Sequence, residues 1–319
     1  MLFRSNFSDE IQLRQNINVN FKLLPRVTQA TEIVIKADKR EANIKAAQMG
    51  KFDLSISMIK NIPALAGEVD PLKVLQLLPG IRNAGEGNSG LYVRGGGADQ
   101  NLILLDDAIV YNPGHLFGFF SVFNSDALKN VSLIKGGMPA QYGGRISSVV
   151  DISMKDGNSK KFQMEGGIGT IASRLTLQGP IVKEKASYMI SARRTYIDVL
   201  IKPFVNPESS FAGSGYYFYD LNAKVNYRFN DKDRLYVSGY FGRDVFTFNN
   251  KERSFNTRIP WGNSTATLRW NHVYNDRLFS NTSLIWNDYR FLFEGGQENF
   301  TISFNSAVRD LTIKTDFDY

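Results

Sequence analysis

Between Tyr219 and Phe229 polar and apolar residues alternate without a break. Asp220, Asn222, Lys224, Asn226 and Arg228 share one parity, and Tyr219, Leu221, Ala223, Val225, Tyr227 and Phe229 share the other. A period of two belongs to a β-strand and excludes a helix. The apolar parity begins and ends on aromatic residues ten positions apart. At ~3.3 Å per residue and a tilt of ~40°, they stand about 25 Å apart along a membrane normal, the height of the lipid band of an outer-membrane barrel. Weaker alternation recurs over 188–194, 235–248, 266–274, 278–291 and 302–319. A soluble sandwich alternates as well, so the strand pattern alone leaves both architectures open.

Connection lengths add to the membrane reading. With 162–170 and 171–179 taken as one hairpin, the short connections at 183–185, 230–233 and 275–276 fall on one side. Those at 197–215 and 249–261 are long and fall on the other. Short turns opposite long loops are the asymmetry of membrane barrels, and the count is eight strands. Tyr216 and Tyr217 could stack on a sugar or catechol from an outer loop, or belong to the aromatic girdle.

Composition removes several functions. Cysteine is absent, which excludes disulfides, cysteine zinc sites and thiol catalysis. His115 and His272 are the only imidazoles and read as ordinary polar residues, so no metal site is expected. The net charge of +7 is spread over 38 basic and 31 acidic residues without a basic block, so no nucleic-acid partner is expected. No run of about 18 apolar residues occurs, which excludes a transmembrane helix but not a transmembrane β-barrel. Gly85-Glu86-Gly87-Asn88-Ser89-Gly90 spells a dinucleotide-loop pattern, yet Leu91-Tyr92-Val93-Arg94 after it reads as a strand. Without a following helix no dipole meets a phosphate, which argues against a soluble nucleotide-binding enzyme. Asp106-Asp107 reads as a turn rather than an acid–base pair. No cofactor and no catalytic residue are expected, and the chain is read as not an enzyme.

The chain divides in three. Residues 17–23 and 32–37 read as strands closing a small sandwich. Residues 50–157 form an α+β globule, in which Asp70-Pro71 starts a helix that Pro79-Gly80 ends. Strands are expected at 91–94, 102–105, 108–111, 131–135 and 146–154, with a brief helix at 125–130. From about residue 161 the period is two throughout.

Within the globule a set of short pieces occurs in a fixed order: 62–68, then 75–80 ending on Pro79-Gly80, Val93-Arg94-Gly95-Gly96, Leu104-Leu105-Asp106, Tyr111-Asn112-Pro113, Lys135-Gly136-Gly137 and Tyr142-Gly143-Gly144-Arg145. In this order and spacing they closely resemble the plug domain of TonB-dependent receptors, in the version typical of Bacteroidetes. One departure is Asp107, where the family usually has Gly; an Asp tolerates the left-handed conformation at some cost.

The resemblance implies a mostly β chain: an α+β plug followed by antiparallel transmembrane β-barrel strands, about eight of an expected 22. It implies domains at 1–38 (the tail of a carboxypeptidase-regulatory-like sandwich with a TonB box), 39–158 (plug) and 159–319 (first part of the barrel). The box would be Glu32, Ile33, Val34, Ile35, Lys36 and Ala37, pairing as an added strand with TonB. Also implied are the bacterial outer membrane as location and active import of a scarce solute: a siderophore, cobalamin, metal chelate, oligosaccharide or peptide. The partners implied are TonB with its inner-membrane energising complex, outer-membrane lipid, a small-molecule or oligosaccharide ligand and, for some members, a surface lipoprotein. Arg94 and Arg145 are candidates for contacts with the barrel wall, since guanidinium pairs bidentately with carboxylate. The alternative is a small structural or adhesive barrel with its globule outside.

Size favours the first. A globule of ~110 residues has a radius of gyration near ~13 Å, whereas eight strands enclose only their own side chains. The chain is therefore expected to be a piece of a longer protein with an upstream signal peptide. Immunoblotting of fractionated source cells with an antibody against residues 50–157 should find an outer-membrane product larger than 319 residues. A soluble band would defeat both barrel readings.

Overall fold

The structure, a computed structural model, describes residues 50–319 other than 63–67, 84, 86–89, 207, 211, 253 and 298. The expected sandwich tail and the box residues 32–37 lie outside the described residues, as does most of the 62–68 motif and of the glycine-rich 85–90 stretch.

The α+β globule is built on a five-stranded sheet. Its strands are β1 (Lys51–Ser55), β4 (Asn101–Leu105), β5 (Ala108–Ile109), β8 (Leu128–Ile134) and β9 (Ser148–Met154), in the order β1-β8-β9-β4-β5. β4 and β9 are parallel neighbours, and all five residues of β4 are buried. Burial on both faces is why β4 reads as an unbroken apolar run rather than an alternation. Two small hairpins accompany the sheet: β2 (Ile81–Asn83) with β3 (Leu91–Val93), and β6 (Gly114–His115) with β7 (Phe120–Ser121). The strand expected after Gly90 is thus present. Helix α1 (Ile56–Lys60) and helix α2 (Pro71–Leu75) pack Ile59, Leu72 and Leu75 into a core shared with Leu128, Leu133 and Ile152.

Local chemistry accounts for the boundaries. The Asp70 carboxylate accepts from the backbone N–H of Leu72 (2.9 Å) and Lys73 (3.3 Å), capping α2 where Pro71 has no N–H to leave unpaired. Asp106 and Asp107 both adopt left-handed backbone (φ 46° and 72°), the two-residue hairpin turn that joins β4 to β5. The helix expected at 125–130 does not form. Asn124 Oδ1 accepts from Asp126 N (3.1 Å) and its carbonyl from Ala127 N (2.9 Å), a single Asx turn. The chain then pairs with β9 from Leu128.

Beyond the globule, eight antiparallel strands follow in sequence order: β10 (Gln163–Ile168), β11 (Ala172–Val182), β12 (Ala186–Thr195), β13 (Gly215–Arg228), β14 (Asp233–Asn250), β15 (Phe255–Asn275), β16 (Leu278–Gln297) and β17 (Phe300–Asp318). The expected count is met, and β10 and β17 are not paired with each other, so the strands form an open wall. An open wall is incompatible with a self-closed eight-stranded barrel carrying its globule outside. The connection after β12 is long and holds helix α3 (Ile197–Ile201). The second long loop, expected over 249–261, is strand for most of that stretch instead: Thr247 pairs with Arg258, Asn249 with Asn256 and Asn250 with Phe255. Pro260 hid this continuation in the sequence, because a residue without an N–H argues against a strand interior.

Burial decides between sandwich and membrane wall. On β13 the polar parity is buried, with Asp220 and Asn222 at 2 % exposure, whereas Leu221 is 44 % and Val225 39 % exposed. A soluble sandwich would bury the apolar face. On β14 the outward residues Phe241, Gly239, Val237 and Leu235 carry no charge between Arg243 and Asp233. Those ten residues at ~40° tilt give a charge-free height of about 25 Å. Val237 lies near its middle. Val237→Arg should destabilise the folded protein in vesicles by about 2–4 kcal/mol in urea titration; a water-exposed position would shift by less than about 0.5 kcal/mol.

Candidate functional site

The inward face of the wall holds the α+β globule through buried charge. His115, on the β6–β7 hairpin, is fully buried between two wall carboxylates. Its Nε2 lies 2.8 Å from Asp220 Oδ1 on β13 and its Nδ1 2.7 Å from Asp244 Oδ2 on β14. The ring stacks on Phe218 at 3.9 Å between centroids and 8° between planes. With both ring nitrogens against carboxylates, the imidazolium is the form that satisfies every partner. Burial by itself would lower the pKa of His115, but the charges of Asp220 and Asp244 outweigh it and push it up to about 9.

Asp220 gathers further donors. Arg193 on β12 gives it Nε (2.8 Å) and Nη2 (2.6 Å), and Tyr240 on β14 gives its hydroxyl (2.8 Å). The same Arg193 donates to the Ser121 carbonyl (2.8 Å) and reaches Glu68 (3.4 Å). Ser121 N in turn donates to Asp70 Oδ2 (2.6 Å), so the carboxylate that caps α2 also fixes the strand that meets the wall. Tyr216 donates its hydroxyl to Asp244 and accepts from Leu116 N (2.6 Å).

Three wall cations make further ion pairs with the globule. Lys224 on β13 lies 3.1 Å from Asp106 and 3.0 Å from Asp156, and donates to the Met154 carbonyl. Burial would raise the Asp156 carboxyl, but the Lys224 ammonium dominates and holds it below the usual carboxylate range. Arg174 on β11 donates to Asp126 (2.7 Å), which Lys60 also grips (2.6 Å); against the effect of burial, these two cations hold Asp126 low. Arg269 on β15 pairs with Asp107 at 2.9 Å. Most of these cations come from the wall and most of the carboxylates from the globule; His115, and Lys60 and Lys155 against Glu165 of β10, run the other way.

That polarity reverses the expectation for Arg94 and Arg145. Both are exposed, Arg145 donates to the Gly144 carbonyl (2.8 Å), and neither forms an ion pair with the wall among the described residues. Of the motif residues, Glu68 and Asp106 are brought into wall ion pairs, with Arg193 and Lys224. Pro79 offers its carbonyl to Lys135 (2.6 Å) and Gly80 its own to Arg94 N (3.0 Å). Gly95, Gly136, Gly137 and Gly144 lie in turns of positive φ. Gly96 forms an isolated bridge to Val93, and an added Cβ there would meet Ser147 at 2.4 Å. Gly143 has open space, and Tyr142 donates to Asp151 (3.1 Å) beside Lys314 of β17. His115, read from the sequence as ordinary, is the residue that was missed; Asp220 and Asp244 lie on polar parities, but burial and not sequence shows that these face inward.

Above His115 the hairpin tip places Phe117 with left-handed backbone (φ 55°) and 60 % exposure. It lies 5.0 Å from Trp261 and 5.6 Å from Phe246. A cavity of about 430 Å³ opens here, lined by Tyr111, Asn112 and Phe117 of the globule and Trp261 and Phe291 of the wall. Tyr216 turns inward into this aromatic cluster, whereas Tyr217 faces outward.

Residues 60–150 match the family model of the TonB-dependent Receptor Plug Domain. The chain carries a TonB-dependent receptor plug. Plug and wall together share the fold of solved outer-membrane receptors. The outer membrane transporter YddB from Escherichia coli superposes with a TM-score of 0.62 at 13% identity, over 85% of this chain and 45% of that one. The ferric-catecholate import receptor Fiu from E. coli K12 gives 0.59 at 15%, over 85% and 46%. A mutant ferric enterobactin receptor from Pseudomonas aeruginosa, in complex with enterobactin, gives 0.56 at 17%, over 83% and 46%. This chain thus spans less than half the length of each. Plugs of this family belong to outer-membrane β-barrels, and the outward apolar band places this chain in that membrane.

Because the folded pKa of His115 exceeds the ordinary 6.5, its contribution is complete below about pH 6.5 and disappears as pH rises through about 9. Amide exchange across 111–122, corrected for intrinsic rate, should accelerate between pH 7 and pH 10 in the wild type. In His115→Gln the segment should already be loosened at pH 7, by about 3–5 kcal/mol for a buried pair that loses one partner. An unchanged exchange profile in the variant would remove His115 from the plug–wall contact.

Proposed function

We propose that this chain is the plug and leading wall strands of a TonB-dependent importer of a scarce solute across the outer membrane. The observation that carries the reading is that the plug is held to the wall by buried hydrogen bonds and ion pairs such as His115–Asp220 and Lys224–Asp106. Water can replace such contacts one at a time, so each charged hydrogen bond contributes only about 1.5–3 kcal/mol net. An interface of this kind is firm at rest and yields to a pull.

The ligand would settle first on the aromatic cavity around Phe117. Its volume is within the range of small-molecule sites, and a left-handed, exposed aromatic residue is an outlier of the sort found at ligand contacts. Solved receptors of this fold are named for ferric enterobactin and ferric catecholates, which makes an aromatic metal chelate the first class to try. TonB would then engage residues 32–37 and draw on the plug, opening a passage along the inward polar face.

These 319 residues hold no cysteine, so a thiol pair can be introduced at the plug–wall contact. Asn124 donates to Ser191 across the plug–wall contact at 2.9 Å. Asn124→Cys with Ser191→Cys, made in the full-length protein, should form a bridge on oxidation that stops uptake and leaves ligand binding intact, with uptake restored by reductant. Deleting 32–37 should give the same separation of binding from uptake. Full uptake by the bridged protein would show that the plug need not move here, and would sink the mechanism.

A further inference from the structure

The outward face of the wall ends in a row of arginines. Register aligns Arg194 of β12 with Tyr219, Tyr219 with Arg243, Arg243 with Gly262, and Gly262 with Arg290. One step nearer the short turns, Asp288 pairs with Arg309 of β17. Arg243 and Arg290 are two strands apart, or about 10 Å. Between them Gly262 contributes no side chain, and a Cβ there would meet the Gly242 carbonyl oxygen at 2.1 Å, so the space stays open. The resulting groove, of about 700 Å³, is flanked by Arg243, Arg290 and Arg309.

The groove has a charge imbalance. Asp288 accepts from Arg290 (2.8 and 3.0 Å) and Arg309 (2.9 and 3.2 Å), which sets both guanidiniums in place. The Arg243 side chain has no hydrogen bond or ion pair among the described residues, so three arginines against one aspartate leave two positive charges in excess. On the short-turn side of this row lie Phe241, Trp286 and Leu311, all exposed. The opposite rim of the band carries Asp233 paired with His272 at 2.6 Å, and Arg228, Arg234 and Arg277 near the short turns. Arg243, Arg290 and Arg309 stand at the boundary of the lipid band on the side of the longer connection holding α3.

We propose that Arg243, Arg290 and Arg309 bind the phosphate of a lipid headgroup in the outer leaflet, with its acyl chains lying on Phe241, Trp286 and Leu311. Charge complementarity selects this occupant: guanidinium forks match phosphate oxygens bidentately, and the groove continues directly into an apolar face. Polybasic clusters at a membrane boundary attract anionic headgroups in this way. The inference rests on the membrane placement of the wall and not on transport, so it survives if the importer reading fails.

The test uses full-length protein in detergent, read by native mass spectrometry after incubation with bisphosphorylated lipid A, the same lipid dephosphorylated, or inorganic phosphate. The bisphosphorylated lipid should be retained at least about tenfold better than its dephosphorylated form, as expected for a site that reads phosphate. The triple variant Arg243→Gln, Arg290→Gln, Arg309→Gln should abolish that preference, with heat-modifiable gel migration reporting that it folds. R243Q, which leaves the Asp288 pairs intact, should weaken the preference on its own and carries the test if the triple variant does not fold. Equal retention of the two lipids, or undiminished preference in folded R243Q and in the folded triple variant, would overturn the proposal. Equally effective competition by inorganic phosphate would make this an anion site and overturn the lipid assignment.

Discussion

Asp220 is where plug and wall become one object. Its two carboxylate oxygens receive His115 from the plug and Arg193 and Tyr240 from the neighbouring strands, all in a site only 2 % exposed. A carboxylate so far from water must be fully hydrogen-bonded to be tolerated. The wall strands must therefore stay in their observed register, since a one-residue slip would turn Asp220 outward into the apolar band. The same register brings Lys224 under Asp106 and Arg269 under Asp107.

A wall with its polar parity inside and its apolar parity outside is the inverse of a soluble sheet. It needs lipid on one face and a polar filling on the other, and the plug is that filling. Its hairpins present carboxylates, backbone carbonyls and one imidazole to the wall, whereas Leu72, Leu133 and Ile152 are kept for its own core. The plug thus folds around an ordinary hydrophobic centre and meets its surroundings through contacts that water can replace. Stability inside the plug and its attachment to the wall are assigned to different chemistry.

The aromatic tip at Phe117 and the latch at His115 are two residues apart on one hairpin. Leu116, between them, donates to both Tyr216 and Asp244. A ligand that displaced Phe117 would act on the same short segment that holds the imidazolium between its carboxylates. Occupancy above, if a ligand binds as proposed, would reach the docking contacts below through covalent continuity.

Several features were legible from residues alone because their causes are local. The parity of 219–229 set the strand and its two faces, Asp70-Pro71 set a helix start, and Asp106-Asp107 set a turn even without glycine. Each depends on neighbours a few positions away. The helix mistaken at 125–130 and the strand hidden at 249–261 were lost because an Asx turn and cross-strand pairing around Pro260 outweigh propensity. Which parity is buried, and that His115 meets Asp220 105 positions away, belonged to the tertiary structure. Periodicity defines two faces but does not say which one meets lipid, and an ion pair across that separation leaves no mark on the local sequence of either partner.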